Sequence, residues 1–180
     1  MTPRPIALLA VPLLAVATVA CAPQPGDDLP GPLRDQLAAR AVELLEHDPT
    51  FRTEVTREPG WHPVCVATVF GAAPPDAETV AQVETIYTWA NCTWLPPADR
   101  AATTSLDDLP GEAVPVALRP GPPVTYQVPG DGADHEPDIR RIFPARLRDA
   151  AFTGPDQAAE ERLQERLREQ ANASPQPSPS

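Results

Sequence analysis

Apolar positions recur along this chain with two different periods, and the periods divide it into helices and strands. Leu33, Leu37, Ala41, Leu44 and Leu45 fall at i, i+4, i+8, i+11 and i+12. That stripe predicts a helix over Leu33–His47, opened by Pro32 at its first turn and closed by Asp48-Pro49. Val64–Phe70 (VCVATVF) is a β-branched run between Pro63 and Gly71. Val83–Leu95 (VETIYTWANCTWL) is rich in Thr and aromatics, and both segments predict strands. The connection Ala72–Gln82 carries Pro74-Pro75 and then an acidic piece with room for one helical turn. Ala113–Leu118 and Val124–Val128 predict two shorter strands around the turn Arg119–Pro123, and Pro115 marks the third strand as an edge. Pro96–Gly111 reads as a polar loop and Gly130–Glu136 as a turn. Short helical pieces follow over Pro137–Ile142 and Ala145–Phe152, broken at Pro144. Pro155–Asn172 is a longer helix with Glu–Arg pairs at helical spacing. Its apolar stripe is only Ala159, Leu163 and Leu167, which predicts loose docking or full solvation.

The order predicts an α+β fold: an N-terminal helix packed on a roughly four-stranded antiparallel sheet, plus C-terminal helices. A helix followed by four meandering strands is also the build of a cystatin-like roll, an analogy of architecture with no cystatin motif behind it. If Cys65 faces Cys92, partner numbers on the first two strands add to 157. Ala67 then faces Ala90 and Val69 faces Thr88 on a small-residue face. Phe70 faces Tyr87, Thr68 faces Trp89 and Val66 faces Asn91 on a bulky one. The bulky face is the expected core.

The first 20 residues have a different character. Arg4 precedes an uncharged apolar run of 15 residues, Ile6–Ala20, too short for a comfortable membrane span of about 20 residues but suited to an export signal. Cleavage at a small-x-small site such as Ala20-Cys21-Ala22 is one outcome, and a buried core helix is another. Thr18-Val19-Ala20-Cys21 resembles the bacterial lipobox, with Thr18 where that pattern prefers Leu, Val or Ile. The resemblance covers residues 1–21 and implies a bacterial lipoprotein, cut before Cys21 and acylated there. It places the mature chain on the extracytoplasmic face of the cell membrane. Residues 21–31 would then be a Pro-rich tether, 32–152 the α+β domain, 153–172 the C-terminal helix and 173–180 (ASPQPSPS from its first residue) a disordered tail.

Composition narrows the partners. The basic residues are 14 arginines without a lysine, against 25 acidic residues. A net charge of −11 argues against nucleic acid, whose phosphates need a basic footprint. After loss of Arg4 the charge becomes −12, so an anionic bilayer repels the domain and lipid must do the anchoring. With Cys21 acylated, Cys65 and Cys92 remain as an even pair in an oxidising compartment, which predicts a disulfide closing a 28-residue loop.

Candidate chemistry is sparse, with no cofactor or metal motif and no catalytic residue singled out. Ser105 is the lone serine before the tail, and it lies outside any G-x-S-x-G. His47, His62 and His135 are far apart and read as structural. Asp131, Asp134, Glu136 and Asp138 have calcium-loop spacing, yet Ile139 and Ala145 stand where an EF-hand needs Gly and Glu, so a helix-capping turn is expected. Trp61, Tyr87, Trp89 and Trp94 are either core or an aromatic-lined groove for a protein or ligand partner. The reading is a membrane-anchored, non-catalytic interaction or ligand-binding module. A small extracytoplasmic hydrolase and an accessory subunit of a membrane complex are the alternatives.

Overall fold

The computed structural model describes residues 29–49, 51, 60–97 and 105–173. The signal segment, Cys21, most of the tether and the last seven residues lie outside the described residues. Helix α1 runs Gly31–His47, and strands β1 to β4 run His62–Ala73, Thr85–Leu95, Gly111–Arg119 and Thr125–Gln127. Helices α2 (His135–Ile142), α3 (Arg148–Thr153) and α4 (Gln157–Ala173) follow. The strands form one antiparallel sheet in the order β1-β2-β3-β4. The fold is thus α+β with a four-stranded antiparallel meander. The predicted turn of helix after β1 is a 3-10 turn at Val80–Gln82.

The Leu33, Leu37, Ala41, Leu44 and Leu45 stripe of α1 is buried as its spacing requires. Leu33, Leu37, Ala41 and Leu45 lie on the small-residue face of the sheet, in one cluster with Cys65, Val69, Ala90, Cys92 and Val116. Small strand side chains let a leucine-rich helix approach closely. The bulky face is buried as well, under the later helices. Phe70, Tyr87, Trp89 and Ala117 pack with Ile139, Ile142, Phe143 and Leu147. Val64 and Val66 pack with Ala159, Leu163 and Leu167 of α4. The expectation of one covered face is therefore corrected to two, with helices on both sides. Of the two expectations for α4, full solvation is corrected: the helix is docked, and its three apolar side chains are each no more than 2% exposed.

Cys65 and Cys92 are directly opposite and bonded to each other. Their Cα atoms are 4.1 Å apart, as in a non-hydrogen-bonded antiparallel pair, where side chains approach most closely. The register holds from His62 to Val69 with partners summing to 157, then shifts. Tyr87 faces Gly71 rather than Phe70, so Phe70 is the extra residue of a bulge. Phe70 and Gly71 both serve the α2–α3 side. Phe70 fills it with a ring 5.8 Å from that of Phe143. Gly71 leaves space for Leu147, whose methyl carbons would lie 2.5 and 2.8 Å from an added Cβ.

Pro115 is an edge residue only in part. β4 pairs with Ala117, Leu118 and Arg119 alone, so no described strand lies outside β3 at Pro115. The Trp94 N–H donates to the Pro110 carbonyl at 3.0 Å. Antiparallel alternation then turns the odd-numbered residues of β3 outward, so the missing N–H of Pro115 faces the open edge and costs no ladder bond.

Two stability predictions follow from this packing. Replacing both cysteines (Cys65→Ala with Cys92→Ala) should lower unfolding free energy in urea by about 3–4 kcal/mol, the chain-entropy value for a loop of this size. Gly71→Ala should lose about 1–3 kcal/mol through overpacking against Leu147, read from the same urea midpoint. A Gly71→Ala midpoint equal to wild type would show that Leu147 can move aside freely.

Candidate functional site

The four aromatic candidates do not line one groove. Tyr87 and Trp89 sit on the face covered by α2 and α3, whereas Trp61 and Trp94 belong to the α1 side. Strand alternation makes that division inevitable, since residues 87 and 89 of β2 point opposite to residue 94. Tyr87, Trp89 and Trp94 are buried and Trp61 is half-buried. The Trp89 indole Nε1 donates to the Ala150 carbonyl at 2.9 Å, fixing α3 to the sheet. The indole nitrogens of Trp61 and Trp94 are buried without a hydrogen-bond partner among the described residues.

The acidic turn is occupied by its own arginines. Glu136 accepts from Arg140 at 2.6 Å, and Asp138 accepts from Arg141 at 2.7 Å. The Gly130 N–H donates to Asp138 at 2.9 Å, and this bond, followed by the Arg141 guanidinium, holds the Asp138 carboxyl below its ordinary value. Among the described residues no three His, Cys, Asp or Glu side chains converge as a metal site. His47 contacts the Glu43 carbonyl at 3.2 Å at the end of α1, and the His135 ring lies edge-on to Phe152 at 6.2 Å.

The densest polar arrangement is one that sequence reasoning missed. It runs along the free edge of β1. Alternation turns the Cys65 backbone outward, and two side chains meet it. The Cys65 N–H donates to Glu46 Oε1 at 2.7 Å, and Arg166 donates to the Cys65 carbonyl. Arg166 also forms a two-pronged pair with Glu46, at 2.9 and 3.2 Å. One carboxylate and one guanidinium thus complete the edge of β1 and join α1 to α4. Further along, Arg146 donates to the outward carbonyl of Ala72 at 2.7 Å. At the start of the strand Pro63 removes a donor. These are devices that keep a sheet edge from pairing with another chain. Glu46 and Arg166 are separated by 120 positions, and no local pattern announces them.

A second carboxylate ties α4 to the sheet. Asn91 Nδ2 donates to Glu160 Oε2 at 3.0 Å, and Gln164 donates to Glu160 Oε1 at 3.1 Å. Asn91 is buried, so the glutamate supplies the partner its amide needs. The Gln164 bond first, and the Asn91 bond second, hold the Glu160 carboxyl below its ordinary value. Throughout this region the ionisable groups fasten helices to strands.

No family model, curated protein or solved structure matches the chain. No helix among the described residues is long and apolar enough to cross a membrane.

The Glu160 bonds predict a pH effect with a definite sign. A carboxyl whose folded value is depressed adds stability above its unfolded value, and that stability is lost as pH falls through the folded one. Acid should therefore weaken the protein as Glu160 protonates. In Asn91→Ala the Glu160 carboxyl should titrate closer to an ordinary glutamate by NMR. An unchanged Glu160 titration would show that Asn91 does not hold the carboxylate in solution.

Proposed function

We propose that this chain is a lipid-anchored, extracytoplasmic interaction module: an α+β domain acylated at Cys21 and held at the cell membrane by the Pro-rich segment that follows. The observation that carries the proposal is the buried Cys65–Cys92 disulfide, a bond that persists in oxidising compartments and is rare in reducing ones. It agrees in compartment with the lipobox-like Thr18-Val19-Ala20-Cys21. The charge of the mature chain gives the anchor its physical role. A domain this acidic is repelled by anionic lipid, and acyl chains, at about 0.8 kcal/mol per buried methylene, overcome that repulsion.

A binding role is supported by how the polar side chains are used. Glu46, Glu160, Asp138, Arg146 and Arg166 hold secondary elements together. Tyr87, Trp89 and Trp94 are consumed by two cores, so recognition falls to the periphery of the domain. The apolar stripe of α4 is occupied within the chain, which leaves its outer polar face for a partner. A cystatin-like roll remains our architectural proposal for α1 through β4. It is supported by a helix lying across one face of a four-stranded meander.

Expression of the full chain in a bacterial host with an alkyne palmitate analogue tests the anchor. The wild-type protein should be labelled and sediment with membranes, and Cys21→Ala should be unlabelled. A mature wild-type protein that is unlabelled and begins at Ala22 or later would overturn the proposal.

A further inference from the structure

Helix α4 is attached to the domain by contacts that are separable from both main cores. Ala159, Leu163 and Leu167 meet Val64 and Val66, with Leu95 at the margin, as an apolar cluster of its own. No buried residue of that cluster belongs to the α1 core or to the Phe143 core. The chain reaches α4 through Gly154, whose φ of +91° is open to glycine and strained for other residues, and then through Pro155. α4 contributes no strand pairing, so its removal breaks no ladder bond.

The other ties of α4 named among the described residues are polar. Glu160 accepts from Asn91, Arg162 reaches Thr68 Oγ1 at 3.4 Å, and Arg166 reaches Glu46 and the Cys65 carbonyl. Arg166 differs from the others because it engages two elements at once. Its guanidinium meets a carboxylate of α1 and a carbonyl of β1, and its fork geometry matches both. Beneath the helix, Val64 and Val66 stay paired to β2, and Cys65 stays bonded to Cys92. Opening α4 therefore uncovers a preformed patch of sheet and the edge carbonyl of Cys65.

We propose that α4 is a releasable strap. It opens and closes over the Val64–Val66 end of the sheet as a unit, while the sheet and helices α1, α2 and α3 stay folded. Arg166 is the latch. Local opening of this kind is expected where an element has few apolar contacts and its own cluster, and it is read by amide exchange.

Hydrogen exchange with mass spectrometry on the full, disulfide-intact chain tests the proposal. Amides of α4 should exchange at least about tenfold faster than those of the paired central strand β2. Arg166→Met keeps the aliphatic stem and removes the fork. It should speed α4 exchange by about a further tenfold and leave β2 unchanged. Arg166→Lys, which keeps the charge, should fall between, and it serves as the readout if the methionine variant does not fold. Exchange of α4 and β2 in a single cooperative phase in the wild type would overturn the strap. Unchanged α4 exchange in the folded Arg166 variants would overturn the latch.

Discussion

The pairing of β1 with β2 at Cys65–Cys92 is the constraint on which the rest of the structure depends. A slip of one residue in an antiparallel pair sends every side chain to the opposite face. The disulfide forbids the slip, and its 4.1 Å Cα separation places it at a position where backbone groups do not bond across the pair. Two consequences follow directly. Cys65, Ala90, Cys92 and Val116 make a low surface on which α1 can lie. The backbone of Cys65 points away from β2 and must find partners elsewhere, which it does in Glu46 and Arg166.

The bulge at Phe70 provides the second constraint. Without it, residue 71 and those after it would carry the opposite facing. With it, Phe70 and Gly71 both address the α2–α3 layer, and Ala72 returns to the α1 side. Gly71 is the position where a helix-borne leucine enters the space that a side chain would fill. The strand thus changes phase once, at the point where the covering on its second face passes from α4 to α2 and α3. Trp89 reinforces that boundary by donating its indole N–H to the Ala150 carbonyl.

Both sides of the sheet are covered, but the attachments differ in kind. The α1 and α2–α3 layers are held by large interlocked apolar clusters. α4 is held by three apolar residues and a set of charge-assisted bonds. Apolar side chains carry no titratable group, whereas hydrogen-bonded carboxylates respond to pH. The Glu160 carboxylate places one such pH-responsive group in the attachment of α4.

Much of this was legible in the chain. The α1 stripe, the strand pair with its register up to Val69, the disulfide and the α+β order all follow from local periodicity and from pairing two cysteines. The lipobox-like motif and the acidic composition belong entirely to sequence, since residues 1–28 lie outside the described structure. Other features required the tertiary structure. The stripe of α4 reads as loosely docked or solvated because its three apolar residues give no hint of Glu46, Asn91 or the edge carbonyl of Cys65, each far away along the chain. The bulge was invisible because an extra residue is defined only against a partner strand. The aromatic residues read as either core or one groove, and alternation along β2 divides them between two cores. Periodicity reports which side of an element is buried. Which element covers it, and which polar groups close the remaining gaps, is decided only when distant segments meet.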